Sequence, residues 1–193
     1  MLVGMENDLK PLLLVAPLIG AVWLALALDL WCRRVPNIVT FTVMAMGISL
    51  QTITGAGNGL LTAVAGVGVG LMIFLPGYIL GGTGAGDVKL SAAIGAFLGP
   101  YWILVAGILS ILVGSLIAAA FALSTLLSRS ATAPWPRYKL MLQTMVCTGR
   151  VSYVPPAEGE VMGRKFPFAV SIAIGTTLTL VLWWPALSAQ WAG

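Results

Sequence analysis

The sequence predicts an all-α polytopic membrane protein: a six-transmembrane-helix bundle with both termini outside. Three observations predict it. Hydrophobic residues make up 59% of the 193-residue chain and charged residues only 8%, whereas soluble domains carry about a quarter charged residues. Mean hydropathy is +1.00, and apolar stretches of about twenty residues, each long enough to cross a bilayer, recur along the chain. The ten basic residues fall almost entirely on one side of the resulting segmentation.

Residues 1–193 are expected to form one membrane domain. The first span covers about 11–30; Glu6, Asp8 and Lys10 precede it, so it lacks the basic start of a signal peptide and reads as a retained helix. Asp29 lies in its last turn, and Arg33 and Arg34 follow. Pro36 reads as the first helical residue of a second span over 37–54. A glycine-rich turn at residues 55–59 leads to a third span, 60–80, whose Gly66 and Gly70 form a GxxxG pair suited to close helix packing.

The fourth span, 88–99, is short for a crossing, and its entrance, Asp87, is read as recessed below the membrane surface. Gly99-Pro100-Tyr101-Trp102 reads as a turn with interfacial aromatics before a fifth span within 101–127. A cytoplasmic loop covers 128–165 and a sixth span 166–184, with Trp183, Trp184 and Trp191 as interfacial anchors. Within the loop, Tyr138, Met141, Leu142, Met145 and Val146 recur at helical spacing, as in an interfacial amphipathic helix, or the loop is simply basic and held by anionic lipid. Glu158 and Glu160 either receive a basic peptide or solvate the loop. Nine of the ten basic residues then share one side and only Lys10 is opposite, which orients the bundle N-out and C-out.

The charge of +4 therefore marks the cytoplasmic side and not a nucleic-acid surface, and no nucleic-acid partner is expected. With no histidine and only Cys32 and Cys147, far apart, no His- or Cys-based metal site and no cofactor are expected. Both cysteines face the reducing side, so no disulfide is expected.

The chemistry concentrates at Gly81-Gly82-Thr83-Gly84-Ala85-Gly86-Asp87-Val88-Lys89, which breaks an apolar run. A charge at the centre of a membrane helix costs on the order of 2.5–3.5 kcal/mol on insertion scales, so such a residue is a functional candidate. The glycines suggest irregular backbone around Asp87 that an extended substrate could approach. The segmentation places Asp29 at the same membrane face. Two neighbouring carboxylates share a proton: the ionised one takes a proton from water, and the protonated one hydrogen-bonds a scissile carbonyl. The alternatives are structural, Asp29 pairing with Arg33 and Asp87 acting as an N-cap, or an ion-coupled transporter built on the same aspartates.

Gly84-Ala85-Gly86-Asp87 is a GxGD sequence, extended by Lys89 to GxGDxK, and Asp29 precedes Arg34-x-Pro36-Asn37. Together these resemble the type IV prepilin peptidases over about residues 24–175, with Pro167 similar to a proline at the entry to a late helix of that family. The resemblance implies an aspartic endopeptidase of the bacterial inner membrane that cuts the leader from a prepilin-like substrate, with Asp29 and Asp87 as the catalytic pair. Gly84 and Gly86 would make room for the peptide. Lys89 would steady a carboxylate or orient the fourth helix, and Arg34, Pro36 and Asn37 would fix the helix end. Only about ten residues precede the first span, without the paired cysteines of the longer members. The chain therefore resembles the short, cleavage-only branch of tight-adherence (Flp-type) systems, whose pilus-assembly machinery is a further expected partner, and no methyltransferase activity is implied. Presenilin-like and signal-peptide-peptidase-like proteases share GxGD and are the nearest alternative; Pro185-Ala186-Leu187 mimics their PAL motif but falls at the opposite membrane face.

Overall fold

The computed structural model describes residues 2–32, 36–55, 57–80, 83–127, 135–148 and 168–192. Among the described residues all the regular structure is helical: α1 (Leu2–Cys32), α2 (Asn37–Thr54), α3 (Gly59–Ile79), α4 (Ala85–Leu127), α5 (Trp135–Thr148), α6 (Phe168–Leu182) and α7 (Trp184–Ala192). Four helices are long and apolar enough to cross a membrane: α1 from Pro11, α2, α3 and α4; α6 with α7 makes a fifth if that bent pair is one span.

Several boundaries differ from the sequence reading. The expected fourth and fifth spans are two helical arms, together α4, that meet at the expected break, where Gly99 (φ 76, ψ 176) is non-helical; the first arm starts at Ala85 rather than at 88. Glycine alone adopts that φ without strain, and Pro100 supplies no N–H to continue the first arm. The second arm turns back along the first. Gly66 of α3 lies against Gly95 and Gly70 against Ser91, so α3 and the first arm run antiparallel. Thr62 then meets Gly99 and Ile73 meets Gly107, so the second arm returns parallel to α3.

The bundle is built round the first arm of α4. Every residue from Ser91 to Gly99 is buried, and small side chains there let neighbours close in. The carbonyl oxygens of Gly66 and Gly95 each occupy the space a Cβ would need on the other glycine, so the two helices touch backbone to backbone. Gly68, on the other side of α3, has nothing within 4 Å. The expected GxxxG packing is thus present at Gly66 and Gly70. On α2, Gly47 admits the ring of Phe97. A short arm can stay buried in this way because its neighbours supply the apolar surround that its own length does not.

The last segment also departs from expectation. After Leu182 the chain bends by 81° at Trp183 into α7. Leu187 is fully buried and Trp191 only 4% exposed, so Trp191 is a core residue and not an interfacial anchor. Trp102 is likewise interior; its indole N–H donates to Gln190 Oε1, whereas Tyr101 is exposed as expected at an interface. Both buried rings stabilise the bundle by packing; the amide of Gln190 satisfies the indole N–H of Trp102, whereas the buried Trp191 N–H has no partner among the described residues.

Candidate active site

Asp87 sits on the first turn of α4, not on irregular backbone. Gly84 caps that helix: its carbonyl accepts from the N–H groups of Asp87 (3.1 Å) and Val88 (3.4 Å). In return the Gly84 N–H donates to Asp87 Oδ2 at 2.9 Å. This is the returning half of a capping box, with the acidic side chain three residues into the helix rather than at the cap. Gly84, and not Asp87 as in the structural alternative, is therefore the cap. The positive end of the helix and the Gly84 N–H both face the carboxylate, which is 9% exposed. A Cβ on Gly84 would come 3.3 Å from Asp87 Oδ2, so glycine at 84 keeps the carboxylate unobstructed. Neither Gly84 nor Gly86 has positive φ, so the expected irregular backbone is absent at both.

The loop that delivers Asp87 is tied back onto α3. Thr83 N–H donates to the Gly77 carbonyl at 3.2 Å, and its hydroxyl donates to the Phe74 carbonyl at 3.3 Å. A Cβ on Gly77 would press on Thr83. Gly81 and Gly82 lie outside the described residues.

Asp29 is half-buried near the C-terminal end of α1. From Leu14 onward the buried side chains of that helix are Leu14, Val15, Leu18, Ala21, Val22, Ala25 and Leu26, so its tight packing ends one turn before Asp29. The Asp29 carboxylate lies within Coulombic reach of Asp87. Two residues 58 positions apart in the sequence (87 − 29) are thus brought to the same end of the bundle. Arg33 and Arg34 fall outside the described residues, so the pairing of Asp29 with Arg33 does too.

Lys89 connects the two motif segments. Its Nζ donates to Asn37 Oδ1 at 2.8 Å and stands 5.8 Å from the centre of the Phe41 ring. Asn37 and Phe41 are four residues apart on α2 and so share a face. Both contacts run from α4 to the first turns of α2. Pro36 is the N-cap of α2 and not its first helical residue; its extended backbone (φ −60, ψ 137) presents a carbonyl to the N–H groups of Val39 and Thr40. The Thr40 hydroxyl donates to the Asn37 carbonyl at 3.0 Å, steadying the turn that carries the lysine's partner. Phe41 was missed in the sequence, although its position one turn after Asn37 was the available signal. Pro167 lies outside the described residues.

Among the described residues no three His, Cys, Asp or Glu side chains gather in a group that could hold a metal ion. The site offers two carboxylates near one another, a backbone N–H on one of them, and a cation that braces the scaffold. These can move a proton to and from water at a helix end. Gln190, in the helix that carries the PAL-like triplet, reaches Trp102 next to the Gly99 bend. That bend is at the far end of the first arm from Asp87, which leaves the triplet remote from the carboxylates.

The profile of the "Type IV leader peptidase family" matches residues 16–123, which is more than half of the chain and takes in Asp29, Asn37, Asp87 and Lys89. The chain belongs to the type IV leader peptidase family. It is an aspartic-type prepilin peptidase of the inner membrane, and its family implies cleavage of prepilin leader peptides. The transporter reading of the two aspartates therefore falls away. No curated protein and no solved structure matches the chain. The family match runs from within α1 to within the second arm of α4, so α5, α6 and α7 of this peptidase lie beyond it.

Proposed function

We propose that this peptidase uses Asp29 and Asp87 as a catalytic dyad to cut the leader from an Flp-type prepilin at the cytoplasmic membrane face. The observation that carries the reading is that the Asp29 carboxylate lies within Coulombic reach of the buried Asp87 carboxylate at one end of the bundle. In this reading the ionised aspartate takes a proton from a water molecule, whose oxygen attacks the scissile carbonyl. The protonated aspartate hydrogen-bonds the carbonyl oxygen as charge develops there. Collapse of the tetrahedral intermediate breaks the C–N bond, and the leaving amine takes up a proton from the dyad.

The rest of the proposal concerns geometry. Gly84 and Gly86 leave room for an extended peptide, Lys89 and Asn37 hold the scaffold, and Arg34, Pro36 and Pro167 shape the helix ends beside it. All six expected spans cross, with both termini outside and residues 128–165 in the cytoplasm. The one-sided distribution of basic residues supports this orientation, and the return of α4 at Gly99 supports two crossings by that element. Residues 1–193 act as a single membrane unit. Cleavage is the whole of the proposed activity, without methyl transfer, and pilus-assembly proteins act on the product.

The test is co-expression with candidate Flp-type prepilins, reading substrate size on a gel, for wild type, Asp29→Asn and Asp87→Asn at matched expression. Loss of the leader with wild type and its retention with both variants is expected. Cleavage that persists in either variant sinks the dyad; cleavage only of other pilin classes sinks the Flp-type assignment.

A further inference from the structure

The fold leaves α5 (Trp135–Thr148) without any extensive packing against another described helix, although it is strongly apolar on one side. Leu142 is 66% exposed and Val146 79%, with Met145 also exposed and Met141 half-buried beside them. At about 100° per residue these four fall within one stripe roughly 140° wide. Gln143 and Cys147 lie on the other side of the helix and are exposed as well, and exposed Lys139 stands just past one edge of the stripe. By sequence register Tyr138 joins the stripe and Arg137 stands past its other edge. Leu140, off the stripe, is also exposed.

We propose that α5 lies flat on the anionic surface of the membrane that the bundle spans, with Met141, Leu142, Met145 and Val146 sunk among the acyl chains. Two observations select lipid as the occupant. The bases flank the apolar stripe at both edges, where an in-plane helix places cations at the headgroup phosphates while their stems cover apolar surface. The tethers are the second: only residues 128–134 separate α5 from the end of α4, and 149–167 separate it from α6. Seven residues reach at most about 25 Å, so the helix is held near the bilayer surface and meets it at high effective concentration. Basic residues Arg129, Arg150, Arg164 and Lys165 in the same stretch add to the attraction for anionic lipid. In this position α5 pins the long connection between α4 and α6 to the membrane plane.

The test uses the full-length protein in nanodiscs of phosphatidylcholine with phosphatidylglycerol. Cys32→Ser is the background, and Cys147 is kept for one label and replaced by serine for the others. Spin labels at Leu142→Cys and Met145→Cys are compared with labels at Gln143→Cys and Cys147. Expected is high oxygen and low nickel-chelate accessibility at 142 and 145, with the reverse at 143 and 147. The contrast is expected to fall severalfold for Lys139→Glu, or when phosphatidylglycerol is left out. Uniform access of the nickel chelate to all four sites overturns the proposal in favour of a solvated helix. Protection of 142 and 145 from both reagents overturns it in favour of a protein partner, and a contrast indifferent to lipid charge removes the anionic surface as the occupant.

Discussion

Lys89 Nζ donates to Asn37 Oδ1 at 2.8 Å across 52 residues of sequence, joining the start of α4 to the start of α2. Lys89 is two residues beyond Asp87, and Asn37 is eight beyond Asp29. The bond therefore ties together the segments that carry the two carboxylates, and the Phe41 ring supports the lysine from below.

A hydrogen bond to a charged group contributes about 1.5–3 kcal/mol, and less where water competes, so Lys89→Met is expected to lower kcat/KM for leader cleavage about tenfold. Asn37→Leu should do the same, and the double variant should be no worse than either alone, because both changes remove one contact. Lys89→Arg should recover much of the loss. Additive losses in the double variant would show that the two residues act separately.

Gly84→Ala places a Cβ 3.3 Å from Asp87 Oδ2, close enough that the carboxylate or the loop must give way. Cleavage is expected to slow severalfold at unchanged expression, with the effect in kcat and not KM, since a small misplacement of a reacting group costs rate. Gly68→Ala, where nothing lies within 4 Å, is the matched control and should cleave like wild type. Equal activity of both variants would remove the steric role of Gly84.

Gly66→Val and Gly70→Val push side chains into the backbone of α4 at Gly95 and Ser91. Overpacking of this kind costs about 1–3 kcal/mol or more, so thermal unfolding in detergent should move well below that of wild type. Gly68→Val should leave the midpoint within error. Equal shifts at 66 and 68 would mean that α3 does not face α4 as described.

Gly99→Ala forces a side chain into an extended positive-φ conformation that is essentially confined to glycine, at a cost of about 1–3 kcal/mol, and sets its Cβ against Thr62. A lower unfolding midpoint is expected, and Thr62→Ser, which removes the Thr62 methyl that the new Cβ would meet, should recover part of it. An unchanged midpoint for Gly99→Ala would mean that the bend of α4 tolerates an ordinary residue.

Composition and hydropathy alone determined that this chain is a helical membrane protein, because burying backbone in lipid leaves few other solutions. Motif spacing singled out Asp29 and Asp87, since a carboxylate within apolar sequence has a cost that something must justify. The spacing of Met141, Leu142, Met145 and Val146 foretold α5, and GxxxG foretold the contact of α3 with α4. Local sequence could not say that Asp87 rides on a regular helix turn, because glycines announce possible backbone freedom and not whether it is used. It could not assign Lys89 to Asn37, nor bury Trp102 and Trp191, because those partners come from helices distant in sequence. Tryptophan suits both an interface and a core, and only the 81° bend before α7 decides between them here. Periodicity reports which face of a helix is apolar; which helix covers that face is settled by long-range packing, and that is a property of the folded bundle.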